Sequence, residues 1–141
     1  MTTSDTHTVA VGDALPATVI ESVDPARMKT LSALMRDPNP IHFDEKAVVA
    51  VGLGTRTVNQ GPTNVAYVVS AVAAWAGGVE NIVEYRFRFL GNVFAGDRLR
   101  TGGTVTAVDE TANGRVAQCD LFLEVIDGAR VLAGSATVRI R

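Results

Sequence analysis

Apolar positions along the chain change spacing part-way, and the change divides it into two halves. In residues 83–89, Val83, Tyr85, Phe87 and Phe89 alternate with Glu84, Arg86 and Arg88. A period of two predicts a strand with one apolar face and one wet face, so Glu84, Arg86 and Arg88 are expected in water. Three further alternating runs cover residues 98–108, 115–126 and 130–140, introduced by Gly96-Asp97, Asn113-Gly114 and Asp127-Gly128. Asn-Gly and Asp-Gly between alternating runs are strong hairpin signals. The C-terminal half therefore reads as an antiparallel meander.

The N-terminal half follows a different spacing. Residues 9–23 suggest a strand, with turn signals at Gly12-Asp13 and Leu15-Pro16. Asp24-Pro25 then opens a helix, with Asp24 as its cap and Pro25 at the first helical position. Met28, Leu31, Leu34 and Met35 recur at helical spacing on one expected face. That helix should end near Arg36, because Pro38 biases Asp37 away from helical dihedrals. Asp44 is placed to cap a short helix from Glu45 to about Val51, stopped by Gly52. Residues 54–59 read as loop or short strand.

A longer helix is expected over residues 63–75, closed by Gly77-Gly78. Residues 65–75 carry no charge, and only Tyr67 and Ser70 have polar tips. A helix apolar nearly all round is a buried helix. One such helix followed by a meander predicts an α+β fold with the sheet curled around the helix, since the sheet's apolar face needs a cover. The expected organisation is a flexible tail over residues 1–8 and one domain over residues 9–141.

Charge and composition remove several function classes. Thirteen Lys and Arg against fifteen Asp and Glu give a net charge of −2, without the basic excess of a nucleic-acid binder. No apolar run is long enough to span a membrane. The first seven residues lack the basic and apolar regions of a signal peptide, so a cytoplasmic, soluble protein is expected. Cys119 is the lone cysteine, which excludes an internal disulfide and a cysteine-rich zinc site. Its alternating surroundings suggest a small buried thiol.

Of the two histidines, His7 lies in the expected tail and His42 in the segment Asp37-Pro38-Asn39-Pro40-Ile41-His42. Each proline fixes its own φ and restrains the residue before it. Such a loop has few shapes, so an acid at one end and an imidazole at the other suit a site that positions one water. The same residues also fit an ordinary Asp-Pro and Asn-Pro turn with a packed histidine. Asp44 is a cap first and a second acid only after that. Asn59-Gln60-Gly61-Pro62-Thr63 leads into the uncharged helix, where unpaired N–H groups carry partial positive charge. Gly61 would let a carbonyl oxygen approach the backbone, as an oxyanion site requires; a tight turn with Pro62 at the first helical position is the plainer reading. Arg86, Arg88, Arg98 and Arg100 could meet phosphates or form a solvated face.

The segment from Asp37 to Asp44 resembles the hydratase motif Asp-x-Asn-Pro-(Ile/Leu)-His-x-Asp of the MaoC-like, (R)-specific enoyl-CoA hydratase/dehydratase family. The resemblance continues through Ala47, Gly52 and Gly61 and into Phe89 and Val93-Phe94-Ala95-Gly96-Asp97, covering the chain from about Gly12 onward. It implies the hot dog fold, an antiparallel sheet wrapped around a long central helix. It further implies that Asp37 and His42 hold a water that adds across the double bond of a trans-2-enoyl thioester, giving an (R)-3-hydroxyacyl product, or catalyse the reverse dehydration. Asp37 would act as base toward water, His42 would orient it and deliver a proton to Cα, and the Gly61 N–H would polarise the thioester carbonyl. Asn39, Gln60 and Pro62 are the candidate substrate contacts. No metal or redox cofactor is implied. The substrate would be an acyl-CoA or acyl-carrier-protein thioester, with fatty acid metabolism as the setting. Where the family often has His-Gly-Met this chain has Gln60-Gly61-Pro62. Ala66 stands where some members have serine, and Asn92 where proline is common.

Two other functions are compatible with the same expected fold. Hot dog thioesterases usually carry a catalytic acid on or near the central helix, and residues 63–75 contain no Asp or Glu. A catalytically silent partner in a heteromeric hydratase is the other, against which the presence of both Asp37 and His42 argues. The resemblance implies a homodimer, since hot dog folds commonly pair edge to edge, or a heteromer with a related subunit; an exposed sheet edge needs covering in any case.

Overall fold

A computed structural model describes residues 8–141. The expected tail, His7 included, lies outside the described residues except for Thr8. The expected strand over residues 9–23 is mostly irregular. Leu15 N donates to Gly103 O at 2.9 Å, Ala14 forms a lone bridge with Thr104, and only β1 (Val19–Ile20) pairs regularly. The turn at Gly12 (φ 93°) and Pro16, which lacks an N–H, interrupt the ladder.

Helix α1 (Pro25–Met35) starts as expected, with the Asp24 carboxylate accepting from Ala26 N, and ends at Arg36 in the left-handed conformation (φ 52°). Its buried face differs from the expected one. Met28 and Ser32 are buried, whereas Leu34 is 75% and Met35 42% exposed. The helix lies on the surface and only one stripe, residues four apart, reaches the interior. Helix α2 (Glu45–Ala50) is capped by Asp44, which accepts from Lys46 N at 2.9 Å.

Helix α3 (Gly61–Ala76) begins two residues earlier than the spacing predicted. It stops at Gly77, whose φ of 82° is the left-handed value that favours glycine at a helix end. Asn64, Val68 and Val72 form its buried stripe, while Pro62, Ala66, Ser70 and Ala74 face outward. The absence of charge predicted burial on all sides; within one chain the sheet covers one side only.

The sheet is antiparallel, in the order β1-β3-β4-β5-β2. β3 (Leu99–Thr111), β4 (Gly114–Val125) and β5 (Arg130–Ile140) form the expected meander. β2 (Ile82–Phe89) does not precede β3 in it; it crosses to the far edge and pairs with β5, Phe89 opposite Leu132. The connecting segment cannot turn back as a hairpin because it bonds sideways to another stretch of chain. Asn59 N donates to Val93 O at 2.7 Å and Ala95 N to Thr57 O at 2.9 Å.

Rows of inward residues cross the sheet beneath α3. Tyr85, Ala136, Cys119 and Val105 form one row, and Phe89, Leu132, Leu123 and Thr101 another. Val68 and Val72 of α3 close the core against them. Cys119 is the buried thiol expected, and burial pushes its pKa up to about 11. At Gly134 β2 leaves β5 no room for a side chain, since one there would collide with the Arg86 carbonyl oxygen and stand 2.6 Å from Phe87 Cδ1. The apolar side of β2 is incompletely covered: Val83, Tyr85 and Phe89 stay 49%, 50% and 58% exposed. An edge strand has a neighbour on one side only.

Candidate active site

Asp37 begins a loop that fixes itself by short-range hydrogen bonds. Its own N–H donates to Ser32 O at 2.9 Å, tying it to the last turn of α1. One carboxylate oxygen, Oδ1, accepts from Asn39 N at 3.0 Å, and Asn39 Oδ1 accepts from Ile41 N at 3.3 Å. These side-chain turns replace helix bonds that the prolines forbid. Pro40–His42 then makes one turn of 3₁₀-helix. The Asn39 side-chain oxygen thus braces the loop.

The turn delivers His42 into the interior, 8% exposed. Its Nε2 stands 3.2 Å from Asp37 Oδ2, and its Nδ1 stands 2.6 Å from the carbonyl oxygen of Val58. A carbonyl oxygen can only accept, so Nδ1 carries the hydrogen and donates it. Nε2 is then the ring nitrogen turned toward Asp37 Oδ2. The carboxylate remains reachable, since Asp37 is 31% exposed at its side chain. It opens on a groove of about 510 Å³ that Lys29, Ser32, Pro38 and Phe43 also line.

Val58 belongs to a buried stretch, residues 57–60, held from two sides. Val58 N donates to Ile41 O at 2.9 Å, and the connection after β2 pairs with Thr57 and Asn59 on the other side. Three residues after Val58 comes Gly61, the first residue of α3. Thr63 N and Asn64 N donate to Gln60 O, and Pro62 has no N–H. The Gly61 N–H is therefore the donor left over at the helix start, where the helix dipole adds positive potential.

Gln60 is 1% exposed. Its Nε2 donates to Met28 O at 2.9 Å and to Ser32 Oγ at 3.0 Å, while Oε1 is buried without a partner. An orphaned acceptor of this kind costs about 1–3 kcal/mol. Gln60 can face a substrate only through Oε1. Pro62 is exposed on the outer stripe of α3. A second cavity, about 530 Å³, borders Asn59 and Thr63 of the same turn, where Leu31 and Tyr67 line it together with Glu21, Asp24 and Arg27.

A family model described as the MaoC-like domain matches residues 6–121. The chain belongs to the MaoC-like domain family. No curated protein sequence matches it. The fold is similar to that of the (R)-hydratase from A. caviae involved in PHA biosynthesis, with a TM-score of 0.82 at 20% identity over 96% of this chain and 99% of that one. The R-hydratase PhaJ1 from Pseudomonas aeruginosa is similar too, with a TM-score of 0.78 at 18% identity over 94% of this chain and 84% of that one. So is a chain of the ChsH1-ChsH2 complex from Mycobacterium tuberculosis, at 0.79 and 22% identity over 95% of this chain and all of that one. The sheet wrapped on α3 is the hot dog fold, as the resemblance implied.

In this MaoC-like domain Asp37 and His42 meet, whereas the four candidate arginines divide. Arg98 pairs with Glu21, whose carboxyl is held below its usual value by that hydrogen bond and charge, and Arg100 pairs with Glu124. Arg86 and Arg88 face water on the outer side of the sheet, as expected, where they line a shallow groove with Arg130. Sequence reasoning missed Val58, which acts through its backbone and leaves no side-chain signal. It also missed Ser32, whose hydroxyl accepts from Gln60, 28 residues away in the chain. Among the described residues no helix is long and apolar enough to cross a membrane.

Proposed function

We propose that this MaoC-like domain hydrates trans-2-enoyl thioesters to (R)-3-hydroxyacyl thioesters, or runs the reverse dehydration. The observation that carries the reading is the Asp37–His42 contact of 3.2 Å with Nδ1 committed to Val58 O. That commitment leaves Nε2 as the one nitrogen able to exchange a proton on the Asp37 side. In the imidazolium–carboxylate form, Asp37 removes a proton from water as its oxygen bonds to Cβ. His42 gives its Nε2 proton to Cα, and the proton gained by Asp37 then crosses to Nε2 and restores the pair. Neither group loses or gains a proton over the cycle.

Negative charge gathers on the thioester oxygen as the C–O bond at Cβ forms. The unpaired Gly61 N–H at the start of α3 is a suitable donor for it. The thioester is a CoA or acyl-carrier-protein conjugate, and the reaction belongs to fatty acid metabolism in the cytoplasm. The exposed edge of β2, with Val83, Tyr85 and Phe89 half-covered, favours pairing with a second copy in a homodimer. Loss of the conjugated enoyl absorbance on adding the protein tests the reaction. Release of free CoA without hydration would favour a thioesterase, and turnover only after a second chain is added would favour a heteromer.

A further inference from the structure

The two halves of the site are joined by a closed path of contacts. Asp37 Oδ2 meets His42 Nε2 at 3.2 Å, and His42 Nδ1 donates to Val58 O at 2.6 Å. The chain runs from Val58 to Gln60, whose Nε2 donates to Ser32 Oγ at 3.0 Å. Ser32 O in turn accepts from Asp37 N at 2.9 Å, which returns the path to its start. Within it, Gln60 is the link made by a side chain that the proton transfers do not use.

We propose that Gln60 is a positioning residue, holding α1 on the turn before α3 and so fixing where Asp37 stands relative to the Gly61 N–H. Met28 O and Ser32 Oγ lie one helical turn apart, so the carboxamide sets the rotation of α1 as well as its distance. The amide can face one way only. Turned over, Oε1 would point at the Met28 carbonyl oxygen, acceptor against acceptor. In the orientation it takes, both hydrogens are used and Oε1 is stranded. A side chain retained only to fill space would have no stranded atom, as methionine shows by its volume and lack of one. The donors are what the site gains from glutamine here.

The inference deepens the hydratase reading and rests on it for its kinetic half, while its geometric half stands apart. Gln60→Met keeps the volume and removes both donors. Its kcat should fall roughly ten- to hundredfold with KM little changed, because the reacting groups shift while binding surfaces stay. Gln60→His, which keeps a donor, should recover part of that loss. Ring ¹⁵N resonances give a second readout: those of His42 should move in Gln60→Met. Wild-type kcat with unmoved His42 resonances would overturn the proposal, and so would a lowered melting temperature as the only change. If Gln60→Met does not fold, Ser32→Ala removes one acceptor and should move kcat and His42 in the same sense. A wild-type protein that hydrates no enoyl thioester, yet whose His42 resonances move on substitution, would sink the hydratase reading and support the positioning role.

Discussion

The Phe89 ring lies against the α-carbon of Gly61, so closely that a methyl group built there would stand 3.1 Å from Cε1 and 3.3 Å from Cζ. The end of the edge strand thus walls the start of the central helix. Gly61 is not in a left-handed conformation, so alanine strains only the contact with an exposed ring that can move. Gly61→Ala should change stability by less than about 1.5 kcal/mol while kcat/KM falls on the order of a hundredfold. Melting curves beside steady-state rates check this. A normal rate would show that a Cβ here does not crowd the substrate carbonyl at the Gly61 N–H.

Asp37→Asn and His42→Ala should each slow hydration by at least about a hundredfold, since each removes one member of the acid–base pair. The double variant should be little slower than either single one, because the two act as a unit. Additive losses would mean that they act separately. Circular dichroism of each variant shows whether the fold is kept.

Tyr85→Lys should convert a dimer into a monomer, since a charge on the inner side of an edge strand opposes pairing. Sedimentation velocity distinguishes the two masses. A wild-type protein at monomer mass would contradict the edge pairing outright.

Stability should fall as pH rises from about 9 toward about 11, through the pKa of Cys119. The folded thiol ionises later than the unfolded one, its pKa being raised by burial to about 11, so the unfolded chain binds fewer protons in that window. The contribution is complete below the unfolded pKa and lost as pH passes the folded one. Urea midpoints across that range, compared with those of Cys119→Ala, isolate the effect. Parallel curves would show that the thiol has no part in it.

Gly134→Ala should be the most damaging single methyl in the sheet. The added carbon meets the Arg86 carbonyl oxygen and Phe87 Cδ1 across a ladder that cannot widen without loss of its hydrogen bonds. A loss of about 3 kcal/mol or more is expected, read from chemical denaturation. A shift below about 1 kcal/mol would mean that β2 is free to separate from β5.

Local patterns carried most of this fold. Caps at Asp24 and Asp44, the left-handed stop at Gly77 and the alternation of β3 to β5 each depend on a few neighbouring residues. What stayed hidden depends on distant ones. Alternation identified β2 as a strand but could not choose its neighbour, because β3 and β5 offer similar apolar faces. Leu34 and Met35 have helical spacing, yet exposure depends on how far α1 sits from the sheet. Asp37 and His42 stood out because two prolines made their loop rigid. The Val58 carbonyl and the Ser32 end of the Gln60 contact did not, since a hydrogen bond to the backbone or to a distant helix leaves no mark on spacing.

The position of β2 also bears on how the molecule is made. During synthesis β2 follows α3 after one short turn, and β5, its strand neighbour among the described residues, emerges after both other long strands. Hairpins β3–β4 and β4–β5 can form as they appear, whereas the earlier-made half waits with Tyr85, Phe87 and Phe89 unpaired. Translation order and closing order are therefore opposed, and the 11 residues of β5 act as the clasp that admits the older half to the finished sheet. A ribosome paused before Arg130 would display an aggregation-prone edge, and the interval until β5 appears is when this chain most needs a chaperone.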